Sequence, residues 1–283
     1  RNLIKSTLKP CSILSQKIVR KEMLAKDCFL YEIDAPGIAR KYMPGQFLVI
    51  RIDEKGERIP LTIADTSENT ITMVFQAVGK STRQLARLEV GDSILDVVGP
   101  LGKPEEVRKY GKVVLVGGGT GAACLLPIAK ALRQHGNRLE IILGSRTADL
   151  LILEKELGLV ASLRIATDDG SKGHKGFVTD LLKQIIAEAK PDKVIAIGPP
   201  VMMKAVCEIT RGIPTDVSLN PIMLDATGMC GSCRVEVAGE IRLACIDGPM
   251  FDGHKVNFDD LISRLQMYKE KELHAIDHEK CYE

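Results

Sequence analysis

The chain has 283 residues, 45% hydrophobic and 27% charged, with 39 Lys and Arg against 37 Asp and Glu. That length suggests about two domains at roughly 150 residues each, or three small ones, and lets the chain bury enough surface to fold without staples. The near-neutral balance argues against a nucleic-acid partner, which needs a clustered cationic excess. Apolar runs such as Ala122 to Ala129 fall far short of the ~20 residues of a membrane-spanning helix. The eight cysteines are unevenly spaced, and three crowd between Cys230 and Cys245. Such crowding favours a metal or cluster site in a reducing, cytoplasmic setting over a disulfide framework. Arg1 to Ser15 carries no apolar core of a secretory signal and is set aside from the fold reading.

From Lys17 to Pro104 short strands alternate with turns. Gln46 to Arg51 is apolar and β-branched, Gly56 marks a turn, and Thr70 to Val78 alternates through Ile71, Met73, Phe75 and Ala77. This spacing predicts a small antiparallel barrel or sandwich. One short helix interrupts it, capped by Ser81 or Thr82 with Leu85 and Leu88 on one face, before Gly91-Asp92 turns into a strand over Ile94 to Val98.

At Gly111 the rhythm changes to alternating strand and helix. Strands are predicted at Lys112–Val116, Leu139–Leu143, Leu163–Ala166, Lys193–Ile197 and Val217–Leu219. Helices are predicted at Ala122–Gln134, around Leu150, Leu151, Leu153 and Leu157, at Val178–Ala189 and at Val201–Thr210. Such alternation implies a parallel sheet covered on both faces. After Pro221 the chain becomes cysteine-bearing and loop-rich, with one helix predicted over Phe258 to Leu273. The expected organisation is 1–110, 111–220 and 221–283.

Three constellations carry chemistry. Gly117-Gly118-Gly119-Thr120-Gly121-Ala122-Ala123 fits G-x-G-x-x-A between a strand and a helix, where bare backbone and helix N-terminal amides receive a pyrophosphate. The carboxylate that usually follows strand two is missing, since that strand ends Gly144-Ser145-Arg146-Thr147. Arg58-Ile59-Pro60-Leu61-Thr62 is the second constellation, paired with a candidate phosphate-holding turn at Val78-Gly79-Lys80-Ser81-Thr82. The third is Asp225-x4-Cys230-x2-Cys233-x11-Cys245, the C-x4-C-x2-C spacing of plant-type [2Fe-2S] proteins with Asp in the first position. A structural zinc knuckle completed by Asp225 or His254 is the competing reading. Cys124 and Cys207 read as buried small hydrophobes. Neither a Ser-His-Asp nor a Cys-His arrangement is evident, which argues against hydrolysis.

Arg58-x-Pro60-Leu61-Thr62 followed by an apolar strand resembles the flavin-binding strand of the ferredoxin-NADP reductase superfamily. The order of barrel, nucleotide domain and cluster resembles two related electron-transfer subunits, those of NADH-dependent ferredoxin:NADP oxidoreductase and of dihydroorotate dehydrogenase. Leu224 to Val235 and Cys245-Ile246-Asp247-Gly248-Pro249 look closer to the first, because the second has a Cys where this chain has Asp225. The resemblance implies an antiparallel β-barrel FAD domain, then an α/β parallel-sheet NAD(P)-binding domain, then a small [2Fe-2S] segment. It further implies that Arg58 meets a flavin phosphate, that Thr62 sits against the isoalloxazine ring, and that Gly198-Pro199 lies near the nicotinamide. Many relatives carry Cys where Ile197 precedes that Gly-Pro pair. The implied partner is a large subunit with FAD and [4Fe-4S] clusters, and ferredoxin is reached through it. A non-catalytic zinc-knuckle NAD(H) sensor is the alternative from another class. NAD or NADP preference stays open, because Ser145 and Arg146 could favour a 2′-phosphate.

Overall fold

The computed structural model describes residues 16–280, with no side-chain description for 273 and 276–280. The first sheet is built from β1 (Gln16–Ala25), β2 (Cys28–Asp34), β3 (Phe47–Arg51), β4 (Ile59–Thr66), β5 (Thr70–Gln76), β6 (Ser93–Ile94) and β7 (Asp96–Leu101). Two short helices, α1 (Pro36–Ala39) and α2 (Lys80–Ala86), lie between these strands. The strand order is β6-β1-β2-β5-β4-β3-β7. Because β6 and β7 are consecutive and pair with opposite edges, one stretch of chain nearly closes the sheet into a barrel. The predicted strand over Ile94 to Val98 is therefore two strands, split at Leu95, whose amide donates to Ile52 O at 3.2 Å.

Alternation places Tyr31, Ile33, Leu48, Ile50, Ile63, Ile71 and Met73 inside the barrel, all fully buried. The Tyr31 hydroxyl donates to the carbonyls of Leu85 (2.9 Å) and Leu88 (2.8 Å), occupying acceptors at the end of α2. Leu88 consequently lies outside the helix. The N-cap of α2 is Gly79 rather than Ser81 or Thr82, and the Thr82 hydroxyl turns back to accept from the Gly79 amide at 3.0 Å.

The second sheet comprises β8 (Lys112–Gly118), β9 (Arg138–Ser145), β10 (Ser162–Thr167), β11 (His174–Lys175), β12 (Lys193–Ile197) and β13 (Thr215–Ser218). Its helices are α3 (Gly121–Gln134), α4 (Glu154–Val160), α5 (Val178–Glu188) and α6 (Pro200–Ile209). The leucines at 150–153 precede α4 instead of joining it, because Leu153 takes a left-handed conformation (φ 54°) before the helix starts. The C-terminal part adds the hairpin β14 (Arg234–Val237) and β15 (Glu240–Leu243), α7 (Ala244–Asp247), β16 (Met250–Asp252), α8 (Phe258–Leu265) and α9 (Lys269–Lys280). The single helix expected over Phe258 to Leu273 is thus two, with a break at 266–268.

The second sheet runs β11-β10-β9-β8-β12-β13-β16, parallel except for β16, which pairs antiparallel with β13. At that edge the cluster segment supplies the last strand. Strand order reverses between β8 and β12, the crevice at which open α/β sheets bind ligands. One apolar core joins the barrel residues Leu30, Ala64 and Val74 to α3 and β8. Another joins Phe47 and Val49 of the barrel to Met223, Ala226, Cys233 and Cys245.

The connection between the sheets is clamped at Glu105, 6% exposed, whose amide donates to Pro44 O at 2.8 Å. Its carboxylate faces Lys193, 3.6 Å away, and Lys193 is also paired with Asp216. Burial first, then the Asp216 charge, raises the Glu105 carboxyl from the ordinary 4.5 to about 7. The folded protein thus holds a proton that the unfolded chain releases between those values, so stability falls as pH rises through this window. Glu105→Gln is expected to abolish that fall, read as urea midpoints at pH 5 and pH 8. An unchanged pH slope in the variant would reject the role of this carboxyl.

Candidate functional site

Two clefts open at the reversal point and share Gly118, Gly119, Thr120 and Pro199. The first, about 570 Å³, lies between the barrel strand β4 and the start of α3. Pro60, Leu61 and Thr62 line its barrel wall, and Gly118 to Gly121 with Gly198 and Pro199 form the opposite wall. The Thr62 hydroxyl and the Cys124 thiol meet across it at 2.9 Å. Cys124 is therefore part of the cleft rather than only a core filler, and burial raises its thiol above the ordinary range, leaving it neutral. The Tyr42 hydroxyl donates to Ile63 O at 2.9 Å, and burial likewise keeps this phenol protonated.

Among the phosphate candidates, Thr82 lines this cleft, while Arg58, Gly79, Lys80 and Ser81 do not, and Arg58 and Lys80 are exposed. The Ser81 hydroxyl donates to the Glu57 carboxylate at 3.2 Å, bringing the residue before Arg58 to the start of α2. The start of the 58–62 strand and the 79–82 turn are thereby brought next to each other. A largely apolar wall with polar groups such as Thr62 and Thr82 suits a flavin nucleotide.

The second cleft, about 600 Å³, extends from the glycine loop over the ends of β9 and β10. Each glycine in the loop has its own task. A Cβ on Gly117 would come within 2.7 Å of Leu125 Cδ1, and one on Gly121 within 2.2 Å of Ile197 O, so both permit close helix and strand packing. Gly119 has φ +56° and open space where a Cβ would stand, so its bare backbone faces the cleft. Sequence reasoning missed Asp168 and Phe177, which both line this cleft. Only the register of β10 on β9, with Thr167 opposite Ser145, brings Asp168 to the end of strand two.

The cluster candidates occupy the loop before β14 and the turn after β15. Cys233 and Cys245 are buried with their sulfurs 3.2 Å apart, whereas Cys230 and Asp225 lie on the exposed side of the loop. The Asp225 carboxylate accepts from the amides of Thr227 (3.0 Å) and Cys230 (2.8 Å), and the Thr227 amide above all holds it below the usual carboxylate range. Among the described residues, no three Cys, His, Asp or Glu side chains converge into a closed metal set. The structure brings the four predicted ligands together as two pairs, Cys233 with Cys245 and Asp225 with Cys230. The donor chemistry nevertheless fits an iron–sulfur cluster: three thiols and one ionised carboxylate fall within one short segment, in which Ala226, Gly228 and Gly231 all have positive φ.

His254, proposed for a zinc knuckle, instead meets Ile213 O through Nε2 at 2.9 Å. Cys28 lines the second cleft and Cys207 is buried in the α6 core, and burial pushes their thiols up to about 11 and about 12. Cys11 and Cys281 lie outside the described residues. No helix among the described residues is long and apolar enough to cross a membrane.

Comparison with known proteins fits this layout. Residues 115–208 match the oxidoreductase NAD-binding domain, and residues 220–257 match the iron-sulfur cluster binding domain of dihydroorotate dehydrogenase B. The chain is 51% identical over 260 residues to the dihydroorotate dehydrogenase B (NAD(+)) electron transfer subunit homolog of Thermotoga maritima, covering 90% of this chain and 92% of that protein. It is 34% identical over 246 residues to the corresponding electron transfer subunit of Shouchella clausii, covering 83% and 94%. Among solved structures, a chain of an NADH-dependent reduced ferredoxin-NADP oxidoreductase, described in connection with flavin-based electron bifurcation, superposes with a TM-score of 0.90 at 48% identity, covering 93% and 97%. Phthalate dioxygenase reductase, at 18% identity and TM-score 0.59 over 80% of this chain and 87% of its own, shares the fold.

Proposed function

Because the chain belongs to the family of dihydroorotate dehydrogenase B electron transfer subunits and their homologues, within the ferredoxin-NADP reductase superfamily, we infer that it passes electrons between NAD(H) and a partner subunit. The observation that carries this reading is the pair of clefts meeting at Gly118 to Thr120 and Pro199. A nicotinamide entering from the second cleft reaches the wall against which a flavin would lie in the first. Such a flavin, when bound, exchanges a hydride with the nicotinamide and single electrons with an iron–sulfur cluster.

The chain's own part is positioning. Pro60, Leu61 and Thr62 would hold FAD along the barrel wall, with Arg58 and the Gly79-Lys80-Ser81-Thr82 turn at its phosphates. Gly117 to Gly121 would receive the NAD(H) pyrophosphate, and Gly198-Pro199 would seat the nicotinamide. Ile197, in place of a thiol, offers no proton donor there, consistent with direct transfer between apposed rings. Asp225, Cys230, Cys233 and Cys245 would hold the [2Fe-2S] cluster. Leu224 (60% exposed) and Met229 (88% exposed) stand on the loop that carries Asp225 and Cys230, an apolar surface suited to the electron-transfer partner. For that partner we favour a large subunit carrying FAD and [4Fe-4S] clusters that reaches ferredoxin, in the cytoplasm. Asp225, standing where the dihydroorotate-type subunit is expected to have Cys, favours it over a dihydroorotate-oxidising partner.

A visible spectrum with iron, zinc and flavin analysis of natively purified protein tests the reading: about two irons and one FAD per chain are expected, and a colourless zinc protein would overturn it. Within the site, Arg58→Ala is expected to weaken FAD retention by about 10- to 100-fold, as the loss of one charged hydrogen bond costs about 1.5–3 kcal/mol. The residue is exposed and outside the barrel core, so the fold is expected to stay intact. Unchanged flavin affinity would reject the Arg58 assignment.

A further inference from the structure

Across the first cleft the Thr62 hydroxyl and the Cys124 thiol meet at 2.9 Å, and both walls fix the contact. On the barrel side β4 is paired along both edges, with Phe47 of β3 and Val74 of β5 opposite Thr62. Since Ile63 points into the barrel and is fully buried, the pleat turns Thr62 outward toward α3. On the other side Cys124 and Ile128, four residues apart, line the cleft from one face of α3. Further along, Ala64 of β4 shares a core with Ala123 and Leu126 of α3, and Lys130 pairs with Asp65 at 2.6 Å. Helix and strand are thus held in register, and the thiol has a set place behind the hydroxyl.

The donors and acceptors of this pair decide what it does. A hydroxyl has one proton to give and two lone pairs to fill, whereas a thiol both donates and accepts weakly. Among the described residues the Thr62 hydroxyl has no partner besides Cys124. The Cys124 thiol keeps its proton, because burial above all raises it beyond the ordinary range. Once an acceptor stronger than sulfur enters the cleft, the hydroxyl proton goes to that acceptor and the thiol proton fills a hydroxyl lone pair. An isoalloxazine ring carries such acceptors, its ring nitrogens and carbonyl oxygens.

We propose that Cys124 is a positioning residue for flavin reduction: its thiol donates to Thr62 Oγ1 and so directs the Thr62 hydroxyl proton at an acceptor of the isoalloxazine ring. This rests on the flavin reading above. In that reaction a hydride leaves the nicotinamide ring of NADH, which becomes NAD+, and bonds to the flavin, which takes both electrons and gains negative charge. The Thr62 proton stays on its oxygen and stabilises that charge through the hydrogen bond. Without the thiol the hydroxyl rotor loses the donor behind it, and its proton is no longer held toward the ring.

Holoprotein carrying Cys124→Ala, Cys124→Ser, Thr62→Val or Thr62→Val combined with Cys124→Ala tests this, with flavin and iron content, the visible flavin band, the flavin midpoint potential and stopped-flow reduction by NADH as readouts. Cys124→Ala is expected to lower the limiting reduction rate about fivefold, the scale of one neutral hydrogen bond, with NADH affinity unchanged and a more negative flavin potential. Cys124→Ser, whose hydroxyl also donates, is expected to restore both rate and potential. Thr62→Val is expected to shift the flavin band and slow reduction by itself, and adding Cys124→Ala to it is expected to change nothing more. A Cys124→Ala protein with wild-type rate and potential, a serine variant no better than the alanine one, or additive losses in the double variant overturns the proposal while the flavin site stands. A Thr62→Val protein with wild-type band, potential and rate overturns the Thr62 contact and the proposal with it. Wild-type protein that holds no flavin overturns the flavin reading itself.

Discussion

Asp225→Ala protein is expected to lose most of its iron on purification, whereas Asp225→Cys keeps a [2Fe-2S] cluster with an altered visible spectrum and a shifted reduction potential. A carboxylate and a thiolate carry the same formal charge, but oxygen is harder and less covalent, so exchanging them changes the cluster's electronics more than its retention. Removing the ligand altogether should cost more than the roughly 10–100-fold in metal affinity lost when an outer-shell partner is mutated. The same carboxylate accepts from the amides of Thr227 and Cys230, so it could shape the loop without touching iron. Asp225→Asn is a partial control, because its single amide oxygen can keep only one of those two N–H bonds, which end on different carboxylate oxygens, and it carries no charge. Full iron content and an unchanged potential in Asp225→Asn would leave Asp225 as a loop cap only.

Gly119→Val is expected to weaken NADH binding by about 100-fold or more, equivalent to about 2.7 kcal/mol, with flavin and iron content unchanged. Two physical effects act together. The residue sits at φ +56°, a region that a β-branched side chain adopts only with strain. Its Cβ would also stand in open space on the cleft side, where the pyrophosphate requires close approach. The neighbouring glycines are poorer probes. A Cβ on Gly121 would strike the Ile197 carbonyl and one on Gly118 the Met202 sulfur, at 2.2 and 2.7 Å, so their variants would disturb packing before binding. Stopped-flow reduction by NADH and direct titration check the prediction, and NADH affinity equal to wild type would remove the loop from the site.

Much of the molecule could be read from local pattern, because local pattern reports local physics. Period-two alternation in Thr70 to Gln76 and buried runs such as Lys112 to Val116 mark strands whatever they later pair with. The glycine loop, Arg58-x-Pro60-Leu61-Thr62 and Asp225-x4-Cys230-x2-Cys233 are legible because the chemistry proposed for them requires those residue types at short, contiguous spacing. What lies between distant segments is a different matter. Barrel closure by the 93–101 stretch depends on pairing with β1 and β3, each remote in sequence. The antiparallel β16 at the edge of the second sheet appears only once the cluster segment packs on β13.

The site divides in the same way. The glycine loop proposed for the pyrophosphate was evident by itself, but which residues of the next strand reach the end of strand two could not be found by counting along the chain. Asp168 and Arg146 are twenty-two positions apart and become neighbours only through the β9–β10 register. Cys124 likewise read as a core residue until the packing of α3 on β4 set its thiol 2.9 Å from the Thr62 hydroxyl. The sequence by itself determined the order of barrel, parallel-sheet unit and cysteine-bearing segment, since this follows from periodicity and spacing along one backbone. The tertiary structure alone decided which residues of different units share a cleft, since that depends on strand register and on how apolar faces pack together.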